Sequence, residues 1–85
     1  MNYNNIPDCM AVFWSQVQDK NQKETFEYIQ ENLEDFLFGE KRAGHINAYD
    51  WDYEYVNDNV YAVGIAIIFD GNKLYHYNEV FEFGY

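Results

Sequence analysis

The spacing of apolar residues changes once along this chain, from a helical period to strict alternation near residue 48. The first helical stripe consists of Ile6, Met10, Phe13 and Val17. Intervals of three and four residues place such a stripe on one side of a helix, so we predict a helix over about residues 7–19. A longer stripe predicts a second helix over about residues 22–38. Gly39 then stands where a left-handed helix cap is expected.

The second half of the chain has the period of β-strands. The stretch AYDWDYEY, residues 48–55, places rings at its odd positions and acids at most even ones, so rings and carboxylates take opposite faces of a strand. Residues 60–69 are apolar at both odd and even positions, which predicts a central strand covered on both faces. Residues 73–83 alternate again after a tight Asp-Gly turn. We therefore predict one α+β domain over residues 1–85, with two N-terminal helices packed on a three-stranded antiparallel β-meander (ααβββ).

The charge of the chain is strongly negative. Fifteen acids against five bases give a formal charge of −10 at pH 7. A field of this sign disfavours direct binding to nucleic acid or to an anionic membrane, and it favours a cationic partner. The alternative is that the acidity serves solubility alone.

The acids form two regular rows. One row lies on the first predicted strand and the other follows the second predicted helix; their members are Asp50, Asp52 and Glu54, and Glu24, Glu27, Glu31, Glu34 and Asp35. Like charges one helical turn apart repel by a few tenths of a kcal/mol per pair, so the helix accepts a small cost for its row. The rows predict a binding surface for a basic partner, or else ordinary solvated faces.

These features predict a small acidic inhibitor that occupies the nucleic-acid-binding site of another protein. The expected partner is a basic CRISPR effector, restriction enzyme or nuclease, as for a phage or mobile-element anti-defence protein that imitates DNA. Tyr53 and Tyr55, with Trp51, are expected to add aromatic contact area. Two alternatives stay open: an immunity protein for a nuclease toxin, and a homodimeric interaction module. The module is expected to bury a set of rings against a second copy: Tyr75, Tyr77, Phe81 and Phe83.

No motif of catalysis or cofactor binding is present. DWDYE begins like a calcium loop, but Tyr55 and Tyr61 stand where the loop needs glycine and glutamate. His45 and His76 lie far apart in sequence, and the single Cys9 is better explained by packing. We therefore expect no enzyme activity, no cofactor and no metal. The lone cysteine and an N-terminus unlike a signal peptide predict a cytoplasmic location.

Overall fold

The computed structural model describes residues 6–83 and confirms the predicted order of two helices followed by three strands. The elements are α1 Asp8–Ser15, α2 Gln22–Arg42, β1 Ala48–Asn57, β2 Val60–Phe69 and β3 Lys73–Glu82. The strands pair antiparallel in the order β1-β2-β3, so β2 is central and both other strands are edges. The predicted α+β architecture is confirmed.

One hydrophobic layer lies between the helices and the sheet. The odd positions of β2 face this layer, and Ile65 and Ile67 are 1% and 0% exposed. Leu33 and Leu37 of α2 are fully buried on the opposite side of the layer. The remaining buried apolar residues are Met10, Phe13, Phe26, Ile29, Ile46, Val63, Phe69 and Phe81. Both helices therefore lie on the same face of the sheet.

The first helix is shorter than the sequence predicts. It ends at Ser15, whereas the apolar stripe predicted residue 19. The amide of Val17 donates to the carbonyl of Trp14, and that of Lys20 to the carbonyl of Val17, at 3.1 Å each. These bonds span three residues, so the chain tightens into turns after α1 instead of continuing the α-helix.

The second helix is longer than predicted. It continues through Gly39 and ends at Arg42, and Gly44 adopts the left-handed conformation with φ +86°. The amide of Gly44 donates to Lys41, and that of His45 to Glu40, at 3.0 Å each. This pair of bonds is the Schellman motif, so the expected glycine cap exists but lies five residues later. Among residues 6–83, no helix is long and apolar enough to cross a membrane.

The central strand is covered on one face, and the prediction that both faces are covered is wrong. Its three middle even positions hold small residues, and the half-buried Ala62, Gly64 and Ala66 run in a line along β2. Ile68 continues the line and is 40% exposed. Both helices pack on the other side, and no part of residues 6–83 forms a layer here. Short side chains present little apolar surface, which reduces the cost of leaving this face open.

Candidate functional site

Strand β1 separates its rings from its acids. Tyr49 and Trp51 reach α2, where both donate hydrogen bonds to the carboxylate of Glu34 at 2.7 and 2.9 Å. The ring of Tyr53 lies edge-on to Phe26 of α2 with 5.3 Å between centroids. The rings therefore face the helices, and the alternation correctly predicted that rings and acids lie on opposite faces of the strand. Because side chains alternate along a strand, the intervening acids point to the opposite side of the sheet.

The uncovered side of the sheet, here called the open face, is formed by the even positions of all three strands. Its cross-strand rows are Ala48–Ile68–Leu74, Asp50–Ala66–His76, Asp52–Gly64–Asn78 and Glu54–Ala62–Val80. The acids make one column along the β1 edge, and small residues make the next column along β2. The third column, along β3, mixes apolar and polar side chains.

The small residues of β2 form the floor of a shallow groove on the open face. The groove holds about 560 Å³ and is bordered by Asp52 and Glu54 on one side and by Asn78 and Val80 on the other. A methyl group on Gly64 would lie 3.1 Å from the side-chain oxygen of Asn78, so the asparagine leans across the glycine. The groove floor was not predicted from the sequence. The pattern that indicates it is the set of small residues at alternate positions of β2, whose other residues are bulky.

The acids of the open face are not neutralised within the described part of the chain. Across residues 6–83 the two ion pairs join His45 to Glu40 at 2.7 Å and Lys73 to Asp70 at 3.3 Å. The remaining bases include Arg42, which lies 5.9 Å from the ring of Phe38. Asp50, Asp52 and Glu54 are all exposed. Their three charges therefore stand in a column that faces solvent.

The acids of α2 do not all point the same way. Glu24 closes a capping box: its backbone amide donates to the Asn21 side chain at 2.8 Å, and its carboxylate accepts from the Asn21 amide. Glu34 leans toward β1, where the Tyr49 hydroxyl and then the Trp51 N–H lower the pKa of its carboxyl by hydrogen bonding. Three exposed acids remain on the solvent side of the helix: Glu27, Glu31 and Asp35.

The two acidic rows therefore lie on opposite sides of the molecule. The β1 acids face away from the helices, and the three exposed acids of α2, Glu27, Glu31 and Asp35, lie on the solvent side of that helix. Tyr53 and Tyr55 are 39% and 59% exposed but lie on the helix-facing side of β1. Of the ten residues predicted to bind a partner, the structure brings together Asp50, Asp52 and Glu54 on one surface. The other seven belong to different surfaces or to contacts within the chain.

The rings expected to form a homodimer contact are used inside the chain. The Trp14 indole donates to the Tyr75 hydroxyl at 2.9 Å and contacts the Tyr77 ring at a tilted angle, with 4.6 Å between ring centroids. Phe81 is 4% exposed, and Phe83 lies 5.4 Å from Phe26 between ring centroids. A second copy has no access to this set of rings as a continuous surface.

A cavity of about 790 Å³ lies at the start of α1. Its lining includes Cys9, Glu40 and His45. Burial, followed by the charge of Glu40, raises the pKa of the Cys9 thiol, so the thiolate that a nucleophile or metal ligand requires is disfavoured. Among residues 6–83, no three His, Cys, Asp or Glu side chains converge as a metal site.

Comparison of this chain with protein-family models, curated proteins and solved structures finds no match.

Proposed function

We propose that this protein is an inhibitor that uses the open face to occupy the nucleic-acid-binding site of a basic protein. One observation carries the proposal: Asp50, Asp52 and Glu54 form an exposed column on a sheet face that, within residues 6–83, is neither covered by a helix nor neutralised by an ion pair. Three carboxylates in line repel one another, so the column costs free energy in the isolated protein. A partner lined by lysine or arginine offsets this repulsion, because its positive groups attract all three carboxylates.

The spacing of the column fits a phosphate backbone. Alternate residues of a strand are about 6.6–6.8 Å apart. One strand of duplex DNA carries a phosphate about every 3.4 Å along the helix axis. Because successive phosphates also wind around the axis, their separation through space is larger than this rise. The three acids of β1 therefore present charges at a regular spacing of the same order as that of phosphates along one nucleic-acid strand.

The total charge limits how much of a nucleic acid the protein imitates. Its longest dimension is 42 Å. A DNA duplex of that length carries about 25 phosphates, at one charge per ~1.7 Å of axis, whereas this chain carries a net charge of −10. The charge density is less than half that of DNA. The proposal is therefore local occupation of a strand-binding groove, and replacement of a whole duplex is not required.

The partner is defined by its chemistry as a protein with a Lys/Arg-lined groove that normally binds phosphates. A nuclease, a restriction enzyme and a CRISPR effector all have such a groove. Binding of the acidic column there releases the anions that accompany the basic groove, so the affinity is expected to fall steeply with salt. An immunity protein for a nuclease toxin would use the same surface, and the identity of the captured protein separates the two roles.

The test begins with capture of binding proteins from host lysate at low salt, followed by their identification by mass. Each captured protein is purified and mixed with fluorescent single-stranded and duplex DNA. We expect the acidic protein to displace DNA from its target in a one-to-one competition that weakens as salt rises. A target that binds DNA and this protein simultaneously would contradict the proposal.

A further inference from the structure

The outer edge of β3 carries a run of backbone groups that point away from the sheet. The amide of Phe83 donates to the carbonyl of Asn59 on the β2 side at 2.7 Å, so odd residues of β3 face β2. The amide of Glu82 points the other way, where Gln22 accepts it at 2.6 Å. In an antiparallel pair the inward and outward directions alternate. The outward groups therefore belong to Leu74, His76, Asn78 and Val80.

These outward groups have no hydrogen-bond partner among residues 6–83. The side chains beside them are exposed, with Leu74 at 56% and Val80 at 52%. An edge of this kind is a template for another strand. The capped amide of Glu82 marks where the available edge stops.

The other edge of the sheet is protected. Along β1 the amide of Tyr53 is already taken by the carboxylate of Asp52 at 2.8 Å. Pairing two β1 strands would also bring two columns of acids side by side, and like charges opposite each other destabilise a sheet. The edge suited to pairing with a copy of the chain is therefore β3.

From this geometry we infer that β3 pairs antiparallel with β3 of a second copy, about a two-fold axis at Tyr77. In this register Leu74 meets Val80 of the second copy and His76 meets its Asn78. All four outward residues then form hydrogen-bonded pairs, with about eight backbone hydrogen bonds in total. Moving the axis to His76 or Asn78 reduces the number of such pairs to three.

The side chains of β3 are complementary in the same register. On the open face, exposed Leu74 and Val80 cover each other at both ends of the contact. On the helix-facing side, Lys73 lies diagonal to Glu79 of the second copy, at the ~7–8 Å backbone separation that long side chains bridge. The two-fold axis repeats both contacts. The dimer therefore contains two contacts between opposite charges and two contacts between apolar side chains.

The resulting dimer has one six-stranded sheet with both open faces on the same side. The two β1 strands become its outer edges, five strand spacings or about 24 Å apart. This places two antiparallel columns of three acids on a single surface. The inference rests on the β3 edge alone and does not depend on the proposed function.

Sedimentation velocity over a range of concentrations tests for the dimer. We expect reversible association, because a strand-to-strand contact is small. We also expect tighter association at higher salt, because salt screens the repulsion between two chains of charge −10. A chain that stays monomeric at every salt concentration, up to its solubility limit, would overturn the inference.

Exchange of charges identifies the interface. Lys73→Glu and Glu79→Lys each place like charges on the diagonal, so each is expected to weaken the dimer about tenfold, and the double variant is expected to restore it. Glu79→Lys also reduces the net negative charge. If net repulsion alone governed association, this variant would dimerise more tightly than the native chain, and that result would refute the register.

Amide hydrogen exchange gives a second, independent readout. In the dimer, the amides of Leu74, His76, Asn78 and Val80 are expected to become protected together, while outward amides of β1 such as Tyr55 keep their exchange rates. A dimer in which these four amides exchange as fast as in the monomer uses another surface, and the inference fails.

Discussion

Glu34 belongs to an acidic row on α2 by its spacing in the sequence, but its carboxylate makes contacts within the chain. In the structure, both of its carboxylate oxygens accept hydrogen bonds from β1, from the Tyr49 hydroxyl and the Trp51 indole. Glu34 therefore joins the long helix to an edge strand. The sequence did contain a signal for this contact. Tyr49 and Trp51 are two hydrogen-bond donors on the same face of β1, and they need an acceptor if that face packs on a helix.

Replacing this carboxylate should lower stability in a pH-dependent way. Glu34→Gln keeps the shape but removes the charge, and we expect a loss of about 1 kcal/mol in the free energy of unfolding at neutral pH. The folded-state pKa of Glu34 lies below its ordinary value of 4.5, so its contribution is present above that pH and is lost as pH falls through the lowered pKa. Urea unfolding of both proteins between pH 7 and pH 3 measures the difference.

Glu31→Gln is the matched control, one turn earlier on the same helix. Its carboxylate is exposed, and its removal relieves repulsion along the row, so stability should stay equal or rise slightly. Equal losses for the two variants would mean that the contacts of Glu34 with β1 contribute nothing specific.

At the scale of elements, the two glycines near the end of α2 have opposite roles. Gly39 lies inside the helix, and an added methyl group meets no atom within 4 Å. Gly44 has φ +86° and ends the helix in the Schellman motif. The sequence predicted the cap at Gly39, whereas the structure has it at Gly44. The choice between them depends on how far α2 must extend before Ile46 enters the core, which local spacing does not encode.

Alanine at these two positions should therefore change stability in opposite directions. Gly39→Ala is expected to raise the free energy of unfolding by about 0.5–1 kcal/mol, because alanine loses less backbone entropy in a helix. Gly44→Ala is expected to lower it by about 1–2 kcal/mol, because its Cβ is strained in the left-handed conformation. Thermal and urea unfolding report both values. Destabilisation by Gly39→Ala together with a neutral Gly44→Ala would place the helix end at residue 39.

The sheet also has a glycine with a testable role in the proposed binding. Gly64→Val fills the floor of the groove between Asp52 and Asn78. The nearest atom to the added Cβ is the mobile end of the Asn78 side chain, so the fold should tolerate the change within about 1 kcal/mol. Affinity for the captured target should fall about tenfold, with Gly64→Ala intermediate. Unchanged affinity with intact circular dichroism would remove the groove from the binding surface.

At the scale of the whole molecule, the fold decides which charges can act together. Alternation and helical spacing were sufficient to predict the ααβββ architecture and the separation of the β1 rings and acids onto opposite faces. The sequence analysis did not predict that one face of β2 is uncovered, because apolar residues at both odd and even positions are also typical of a strand buried on both faces. Only the size of Ala62, Gly64 and Ala66 distinguishes the two cases.

The distribution of charge makes a matched comparison possible. Two sets of three exposed carboxylates lie on opposite sides of the protein. One set is on β1 (Asp50, Asp52 and Glu54), and the other is on α2 (Glu27, Glu31 and Asp35). Amide substitution of either set changes the formal charge from −10 to −7. A partner that responds to net charge alone cannot distinguish the two variants. A partner that docks on the open face must distinguish them.

The decisive measurement is the affinity of the captured target for these two variants, by calorimetry or DNA displacement at physiological salt. We expect Asp50→Asn, Asp52→Asn and Glu54→Gln together to weaken binding about 100-fold or more, roughly 3 kcal/mol, because the charges they remove meet desolvated basic groups. We expect Glu27→Gln, Glu31→Gln and Asp35→Asn together to change affinity less than threefold, roughly 0.6 kcal/mol. Equal losses in the two variants, or a larger loss from the helix set, would contradict binding through the open face.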